Sequence, residues 1–308
     1  MFGIANMKQF CIRVSLLLLC CSSCTFNKLF YQPERMPKPP VSFQLRNREK
    51  HDTVYVSIAD SNYQPVFRNA QQGPYDPGYT LESVRFRSGD GNRLNGWWLK
   101  PGQVKPNGIT LLFLHGNGGN VLSQFAGAVP FVKRGFKVLL IDYSGYGYSE
   151  GHPTRKNFLT DGNSALSYLL DRPDVHGDKI VIYGQSLGGH LSATVAAQNE
   201  ARIDGLVMEG APSSHKDIAA YMSRPFGFMA RLLVKEGYSA RASIAQYHKP
   251  LLLIHSSEDG TVPFFLSHKI YERANAPKEF YEIKHAHIMG PEYYADSIAG
   301  KIVKMVKG

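Results

Sequence analysis

Residues 179–199 constrain the fold of this chain more than any other segment. A short apolar run ends in Tyr183 and is followed by Gly184-Gln185-Ser186-Leu187-Gly188 and then by a stretch of small, helix-compatible residues. A serine between two glycines, at the junction of a strand and a helix, is typical of a nucleophile elbow. The turn is so tight that only small residues fit beside the serine, whose hydroxyl is lifted clear of the sheet. We therefore predict that Ser186 is a nucleophile.

The same five-residue pattern occurs a second time, at Gly147-Tyr148-Ser149-Glu150-Gly151. It lies several residues after a predicted strand, and His152-Pro153 follows where an elbow requires a helix to begin. A proline at that point favours a loop. The context therefore argues against Ser149 as the nucleophile.

The chain around the elbow alternates buried strands with helices. Nearly unbroken apolar runs indicate strands that are covered on both faces of a sheet. We predict two antiparallel strands at 81–87 and 94–100, then strands at 109–114, 136–141, 180–183, 205–208 and 251–254, with helices near 121–134, 157–171 and 187–199. This order predicts an α/β fold with a mostly parallel, doubly wound sheet. Residues 212–246 interrupt it, either as a small helical cap insertion or as an ordinary connecting helix.

A nucleophilic serine needs a base, and the base needs a third group to orient it. Asp259 follows a buried strand and so lies at the carboxyl edge of the sheet, where ligands bind in open α/β sheets. Its neighbour Glu258 is the alternative acid. The predicted base is His287, after the next strand, with His285 as the alternative because residues two apart on an extended segment point the same way.

The loop at 114–120, Leu-His-Gly-Asn-Gly-Gly-Asn, directly follows a buried strand. Its glycines allow backbone N–H groups to approach a substrate oxygen. We predict an oxyanion hole formed by the amide of Asn117 and the amide of Leu187, the residue after the nucleophile. His115 in this loop and His190 on the following helix are interpreted as structural.

All four cysteines lie before residue 25, at Cys11, Cys20, Cys21 and Cys24. This excludes a disulfide framework and a cysteine-ligated zinc site in the rest of the chain. The apolar run at 14–19 is too short to span a bilayer and has the dimensions of a signal-peptide core.

Residues 1–24 resemble a bacterial lipoprotein signal, which implies lipidation of Cys24 and export to the cell envelope, with a retained N-terminal anchor as the alternative. Both Met1 and Met7 are candidate starts, and the cleavage site stays open. Residues 25–53, with Pro37-Lys38-Pro39-Pro40 and scattered charge, are predicted to form a tether.

The sequence carries a formal net charge of +10 at pH 7, and Lys8 and Arg13 contribute two of these charges. The surplus that remains without residues 1–24 suits attraction to anionic lipid headgroups. No long Lys/Arg cluster with interleaved aromatics occurs, so we predict no nucleic-acid partner.

Four segments together resemble the α/β-hydrolase superfamily: LHGNGGN (114–120), IDYSGYGYSEG (141–151), YGQSLGG (183–189) and HSSEDGTVPF (255–264). Within it they are most similar to the branch of serine-aminopeptidase-like domains and membrane-associated acyl hydrolases. The resemblance covers roughly residues 80–305 and implies an α/β-hydrolase domain, which we bound at 54–308.

The resemblance implies a serine hydrolase that cleaves an ester or thioester of a small-molecule or lipid acyl substrate, with no metal or organic cofactor. A serine peptidase on the same fold is the first alternative, and a non-catalytic envelope protein is the second. The fold alone does not select among them, because one fold hosts many chemistries.

Overall fold

The computed structural model describes residues 30–47 and 52–308. The predicted signal segment, with Cys24, lies outside these residues. The strands in chain order are β1 (Gln32–Pro33), β2 (Val41–Asn47), β3 (Asp52–Ile58), β4 (Pro65–Arg68), β5 (Tyr79–Arg87), β6 (Arg93–Pro101), β7 (Ile109–Leu114), β8 (Gly118–Gly119), β9 (Lys137–Ile141), β10 (Lys179–Gln185), β11 (Gly205–Glu209), β12 (Leu251–Ser256) and β13 (Lys278–Ile283).

The helices in chain order are α1 (Val121–Gln124), α2 (Val129–Val132), α3 (Arg155–Leu170), α4 (Leu187–Gln198), α5 (His215–Met222), α6 (Gly227–Leu233), α7 (Ala240–Ser243), α8 (Phe264–Tyr271), α9 (Gly290–Tyr293) and α10 (Ala295–Lys307). Short 3-10 turns lie at Phe125–Gly127, Pro173–Val175, Glu200–Arg202 and Ile244–Gln246.

The central sheet has eight strands in the order β13-β12-β11-β10-β7-β9-β6-β5. Its pairings are parallel except for β5 with β6 and β6 with β9. All six residues of β7 are buried, because Leu111 and Phe113 belong to the core on one face and Leu112 and Leu114 to the core on the other. The predicted doubly wound, mostly parallel α/β sheet is confirmed.

The single helix predicted near 121–134 is wrong in detail, because the segment is divided into α1, a 3-10 turn and α2. Gly127 ends the 3-10 turn, and Pro130 lies in the first turn of α2. Proline has no N–H for an intrahelical bond and is tolerated only at the start of a helix, so a continuous helix cannot pass through this position.

The predicted tether at 25–53 is wrong over the part that the structure describes. Strand β2 pairs antiparallel with β3, and β3 with β4, to form a separate three-stranded sheet. Val41, Phe43 and Leu45 alternate with polar residues, as expected for a strand with one buried face. They pack against the core on the face of the central sheet that contains Leu111 and Phe113. That period-two signal was present in the sequence.

Residues between β11 and β12 form α5, α6, α7 and a 3-10 turn, so the predicted insertion at 212–246 is helical. It starts at the carboxyl edge of the central sheet, where β11 ends. Among the described residues, no helix has both the length and the apolar character needed to cross a membrane.

Candidate active site

The elbow has the backbone that its sequence predicts. Strand β10 ends at Gln185, Ser186 adopts φ 53° and ψ −118°, and α4 begins at the next residue. A positive φ is unusual for a residue with a side chain, and such strained positions cluster at functional sites. A Cβ on Gly184 would lie 2.5 Å from the Gly188 carbonyl oxygen, and one on Gly188 would lie 2.0 Å from that of Leu114. Both glycines are therefore required for this turn.

His287 and Asp259 meet across the ends of β13 and β12. His287 Nδ1 lies 2.6 Å from Asp259 Oδ2, and the Asp259 side chain is only 1% exposed. The other ring nitrogen of His287, Nε2, is buried and has no hydrogen-bond partner among the described residues. Of the two candidate histidines, the structure thus brings His287 to the acid.

His285 has a different environment from His287. Its ring stacks on Tyr293 at 3.8 Å between centroids, and its backbone N–H donates to Ser256 Oγ at 3.0 Å. The expectation that the two histidines point the same way is wrong, because β13 ends at Ile283 and the chain bends from His285 to His287 instead of staying extended. Glu258, the alternative acid, is exposed.

Four groups surround the Asp259 carboxylate. Oδ1 accepts hydrogen bonds from the backbone N–H groups of Thr261 and Val262 at 2.8 and 2.9 Å, while Oδ2 lies 3.2 Å from His255 Nε2 in addition to its contact with His287. Burial alone would raise the pKa of Asp259, but the hydrogen bonds from His255, His287 and Val262 hold that pKa well below its usual range. The acid is therefore an ionised, fixed acceptor.

His255, to which we assigned no role from the sequence, is fully buried at the carboxyl end of β12. Its Nε2 lies within hydrogen-bond distance of two acceptors, the Val262 carbonyl at 2.9 Å and Asp259. The proton of a neutral ring is therefore on Nε2, and Nδ1 accepts from Ser267 Oγ. The sequence signal for this contact was a histidine at the end of a predicted strand, four residues before the predicted acid.

The loop after β7 lies directly beside the elbow. A Cβ on Gly116 would be 3.5 Å from Ser186 Cβ, so the two residues lie within van der Waals reach of each other. His115 is buried in this loop, where desolvation lowers its pKa to about 4, and its Nδ1 lies 2.8 Å from the Gly116 carbonyl oxygen. That carbonyl shares a peptide unit with the N–H of Asn117, whose orientation His115 therefore helps to fix.

Two further contacts hold Asn117. Tyr146 Oη donates to its carbonyl oxygen at 2.7 Å, and its side-chain Oδ1 accepts from the backbone N–H of Gln32 at 2.9 Å. The adjoining Gly118–Gly119 strand, β8, pairs in parallel with β1. Tyr146 itself is fully buried and packs the loop.

Glu209, at the end of β11, is a second buried acid beside the elbow that no sequence motif indicated. Its buried carboxylate accepts hydrogen bonds from Tyr183 Oη at 2.7 Å, Gln185 Nε2 at 2.8 Å and the Gly290 N–H at 2.7 Å. Its backbone carbonyl accepts the Ser186 N–H at 2.8 Å. Burial raises the pKa of Glu209. The residue connects the elbow strand to the loop that carries His287.

Comparison with known proteins agrees with this geometry. A family model described as the alpha/beta hydrolase fold matches residues 109–228. The uncharacterized protein YfhR of Escherichia coli O157:H7 is 35% identical over 211 residues, which cover 67% of this chain and 72% of YfhR. The chain belongs to the α/β-hydrolase family. The α/β-hydrolase domain-containing protein WAV2 of Arabidopsis thaliana is 29% identical over 63% of this chain and 67% of its own length.

Solved structures agree at the level of the fold. An esterase of Pyrococcus furiosus superposes with a TM-score of 0.61 at 21% identity, covering 77% of this chain and 96% of that one. An α/β hydrolase of Vibrio vulnificus gives a TM-score of 0.61 at 23% identity, covering 73% and 80%. Membership of the α/β-hydrolase family indicates a hydrolase, and the two superpositions, both below 25% identity, support the fold alone.

This α/β-hydrolase also contains a buried histidine pair near the elbow. His190, His215 and Glu236 place ligand atoms within 4.8 Å of one another, a spacing that suits a metal ion. However, desolvation, then the charge of His215 and then the charge of Arg155 lower the pKa of His190, and Arg155 also acts to lower the pKa of His215. The same positive charge opposes a divalent cation, and we derive no chemistry from this cluster.

Proposed function

We propose that the chain is a serine hydrolase that cleaves a carboxylic ester or thioester through an acyl-enzyme. Ser186 Oγ attacks the acyl carbonyl while His287 Nε2 takes its proton, and the N–H groups of Asn117 and Leu187 stabilise the oxyanion. Collapse of the tetrahedral intermediate expels the alcohol or thiol, protonated by His287, and leaves the acyl group on Ser186. Water, deprotonated by His287, then releases the acid. Asp259 orients His287 throughout.

The observation that carries this proposal is the 2.6 Å contact between His287 Nδ1 and Asp259 Oδ2. A carboxylate on Nδ1 keeps the proton of the neutral ring on that nitrogen, so Nε2 is the nitrogen that can accept a proton. Nε2 is buried and without a partner among the described residues. An unpartnered buried acceptor of this kind is costly in a purely structural histidine.

The loops that carry the two groups are neighbours. A Cβ on Gly116 would contact both Ser186 Cβ, at 3.5 Å, and Ile288 Cδ1, at 3.8 Å. On the other side, a Cβ on Gly210 would lie 3.0 Å from His287 Cε1, and Gly210 follows the residue whose carbonyl binds the Ser186 N–H. These contacts support a common site for serine and imidazole.

An ester or thioester suits the surroundings better than a peptide with a free amino group. An aminopeptidase of this type needs an acidic group for the substrate's amine, and the candidate acids of the insertion are Asp217 and Glu236. Asp217 forms ion pairs with Arg231 and Lys269, and Glu236 accepts the His215 N–H at 2.7 Å. Both carboxylates are thus occupied within the protein.

A mostly apolar cavity of about 590 Å³ supports an acyl substrate further. It lies between the three-stranded sheet and helices α1 and α2, with Phe67, Leu122 and Phe125 in its wall. Gln185 and Ile288 also line it, and they are the chain neighbours of Ser186 and His287. Apolar cavities of this size are typical of small-molecule sites.

The deciding experiment combines a fluorophosphonate probe with substrate turnover. We expect the probe to label wild type and Ser149→Ala but not Ser186→Ala, and the enzyme to turn over p-nitrophenyl esters or acyl thioesters faster than aminoacyl-nitroanilides. Equal labelling of Ser186→Ala would refute the nucleophile assignment. Preferential cleavage of the nitroanilides would favour the peptidase, and folded protein without turnover of any of these substrates would favour a binding protein.

We also propose that the enzyme is exported and anchored in a bacterial envelope membrane by lipidation of Cys24. Support comes from the cysteine-terminated signal-like segment and the positive net charge of the sequence. Cys24→Ala should leave ester turnover unchanged and release the protein from the membrane fraction or leave it unprocessed. Fully processed, membrane-bound Cys24→Ala protein would contradict this part of the proposal alone.

A further inference from the structure

Large apolar side chains are exposed together on one face of the helical insertion. Phe228 is 75% exposed, and Phe226 and Leu232 are each 69% exposed. We define the cap face as these side chains and their exposed neighbours, namely Met222, Phe226, Phe228, Met229, Leu232 and Phe265. Clustered exposure of this kind marks an interaction surface, whereas scattered exposed apolar residues are ordinary.

The packing of α6 explains why its large side chains point outward. Gly227 and Ala230 are its buried residues, and a Cβ on Gly227 would lie 2.2 Å from the Ala220 carbonyl oxygen of α5. The two helices are therefore too close for a large residue between them. The helix buries its small residues and exposes its phenylalanine and leucine, the reverse of an ordinary surface helix.

The exposed residues of two helices form a continuous surface. Phe228 of α6 and Phe265 of α8 both line one groove of about 330 Å³. The Tyr221 ring, which also lines the groove, lies 6.3 Å from the Phe265 ring between centroids.

The groove also carries positive charge. Arg224, Arg231 and Lys269 line it, and Asp217 is the acid among its lining residues. Asp217 pairs with Arg231 and Lys269, whereas the Arg224 guanidinium lies 4.4 Å from the centre of the Tyr221 ring. An apolar centre with a basic surround is typical of segments that lie in the interface of an anionic bilayer.

The described chain begins beside this insertion. The Phe30 ring contacts the ring of His215, the first residue of α5, at 5.2 Å between centroids. Residues 1–29, which include the apolar run at 14–19, therefore join the body at the N-terminal end of α5, the helix whose last residue, Met222, belongs to the cap face. Any membrane attachment through that segment brings this side of the molecule toward the bilayer.

We infer that the cap face docks on the interface of an anionic lipid bilayer. The insertion starts at the carboxyl edge of the sheet, beside His287, so docking also turns that edge toward the membrane. Docking itself does not depend on the proposed hydrolase activity. Only the consequence that acyl substrates arrive from the bilayer rests on it.

Tryptophan quenching in the full chain tests the docking directly. The native Trp97 and Trp98 are buried, at 1% and 0% exposure, so a new surface tryptophan is the group exposed to lipid. In phosphatidylcholine–phosphatidylglycerol vesicles, dibrominated phosphatidylcholine should reduce Phe228→Trp emission by roughly half or more, because interfacial side chains enter the acyl region by about 5–10 Å. Val104→Trp is the matched control, since Val104 is 42% exposed in the loop before β7, at the opposite edge of the sheet.

Equal quenching of Phe228→Trp and Val104→Trp would overturn the proposal. An unquenched Phe228→Trp emission that shifts to the blue with protein concentration, without vesicles, would instead identify an interface between two copies. Arg224→Glu in the Phe228→Trp background should weaken quenching when phosphatidylglycerol is present, and unchanged quenching would refute the role of anionic lipid. Ser186→Ala in the same background should be quenched like its parent, so failure of the hydrolase proposal is distinguishable from failure of docking.

Discussion

The two G-x-S-x-G segments share a five-residue pattern and differ in almost every structural respect. Ser186 follows a buried strand, has φ 53°, and makes no capping hydrogen bond to the helix that follows. Ser149 is fully buried in a loop, where its Oγ donates to the Asp142 carbonyl at 2.6 Å and accepts the Asn95 N–H at 2.8 Å.

The difference shows that the same five-residue pattern adopts two different structures in two backbone contexts. At Gly147 a Cβ would lie 2.0 Å from Asp142 Oδ2, so this glycine permits a carboxylate to approach the loop. At Gly188 a Cβ would lie 2.0 Å from the Leu114 carbonyl oxygen, so that glycine permits a helix to start against the sheet edge. Glycine thus permits a hydrogen-bonded loop in one segment and a tight strand-to-helix turn in the other.

The largest expected effect is the difference in kcat between the alanine variants of the two serines. Ser186→Ala should reduce kcat for a p-nitrophenyl ester by roughly 10³-fold or more, because the alanine cannot form the acyl-enzyme. Ser149→Ala should stay within about threefold of wild type, since its hydroxyl is bonded inside the loop. Initial rates are measured well below the unfolding temperature of both variants. Comparable losses in the two would remove the functional distinction between the segments.

The second prediction concerns stability, for which Ser149→Ala should have the larger effect and Ser186→Ala the smaller. Ser149→Ala should lower the free energy of unfolding by about 1–3 kcal/mol, because it leaves a buried N–H without its acceptor. Ser186→Ala should change it by less than about 0.5 kcal/mol, since no buried hydrogen bond of the side chain is lost. Urea unfolding followed by circular dichroism measures both. A larger loss for Ser186→Ala would mean that its hydroxyl supports the fold.

Much of this arrangement was readable from the sequence. Strands buried on both faces, such as β7 and β12, are unbroken apolar runs, and the position of Asp259 after β12 follows from that pattern. The three-stranded N-terminal sheet was missed because the alternation in β2 lies in a segment rich in proline and charge. The divergence of His285 and His287 was missed because the direction of a chain beyond a strand end depends on long-range packing, here against Tyr293 and Asp259.

The loop that carries the second G-x-S-x-G segment also contacts the Asn117 loop, and this contact is the basis of the third prediction. Tyr146 Oη donates to the Asn117 carbonyl, whereas Tyr148 Oη donates to the Pro37 carbonyl at 3.0 Å. Tyr146→Phe should lower kcat by about tenfold, less than the loss of a direct oxyanion donor, through looser positioning of the Asn117 loop. Tyr148→Phe is the matched control and should retain kcat within about twofold. Equal kcat values for the two variants would show that the second loop has no part in positioning.

The last prediction concerns the buried carboxylates of Asp142 and Asp259, which lie near the two serine segments. Burial raises the pKa of Asp142 to about 6, and hydrogen bonds from the Val121 N–H, Asn95 and the Tyr148 N–H offset this only in part. The pKa of Asp259, in contrast, is lowered by its partners despite burial. The two acids therefore respond to pH in opposite directions.

For Asp142, the folded protein keeps its proton to a higher pH than the unfolded chain does. Between about pH 4 and 6 the native state therefore binds more protons, and this group lowers the free energy of unfolding as pH rises, by up to about 1.4 kcal/mol per pH unit. The contribution of Asp259 is complete above its unfolded pKa and is lost only as pH falls through its lower folded value, so it adds little slope in this window. Urea unfolding at several pH values should show that Asp142→Asn, whatever its absolute stability, gains relative to wild type as pH rises from 4.5 to 6.5. A stability difference that is constant across this range would show that folding does not raise the pKa of Asp142, and that the loop around Ser149 does not disfavour its charge.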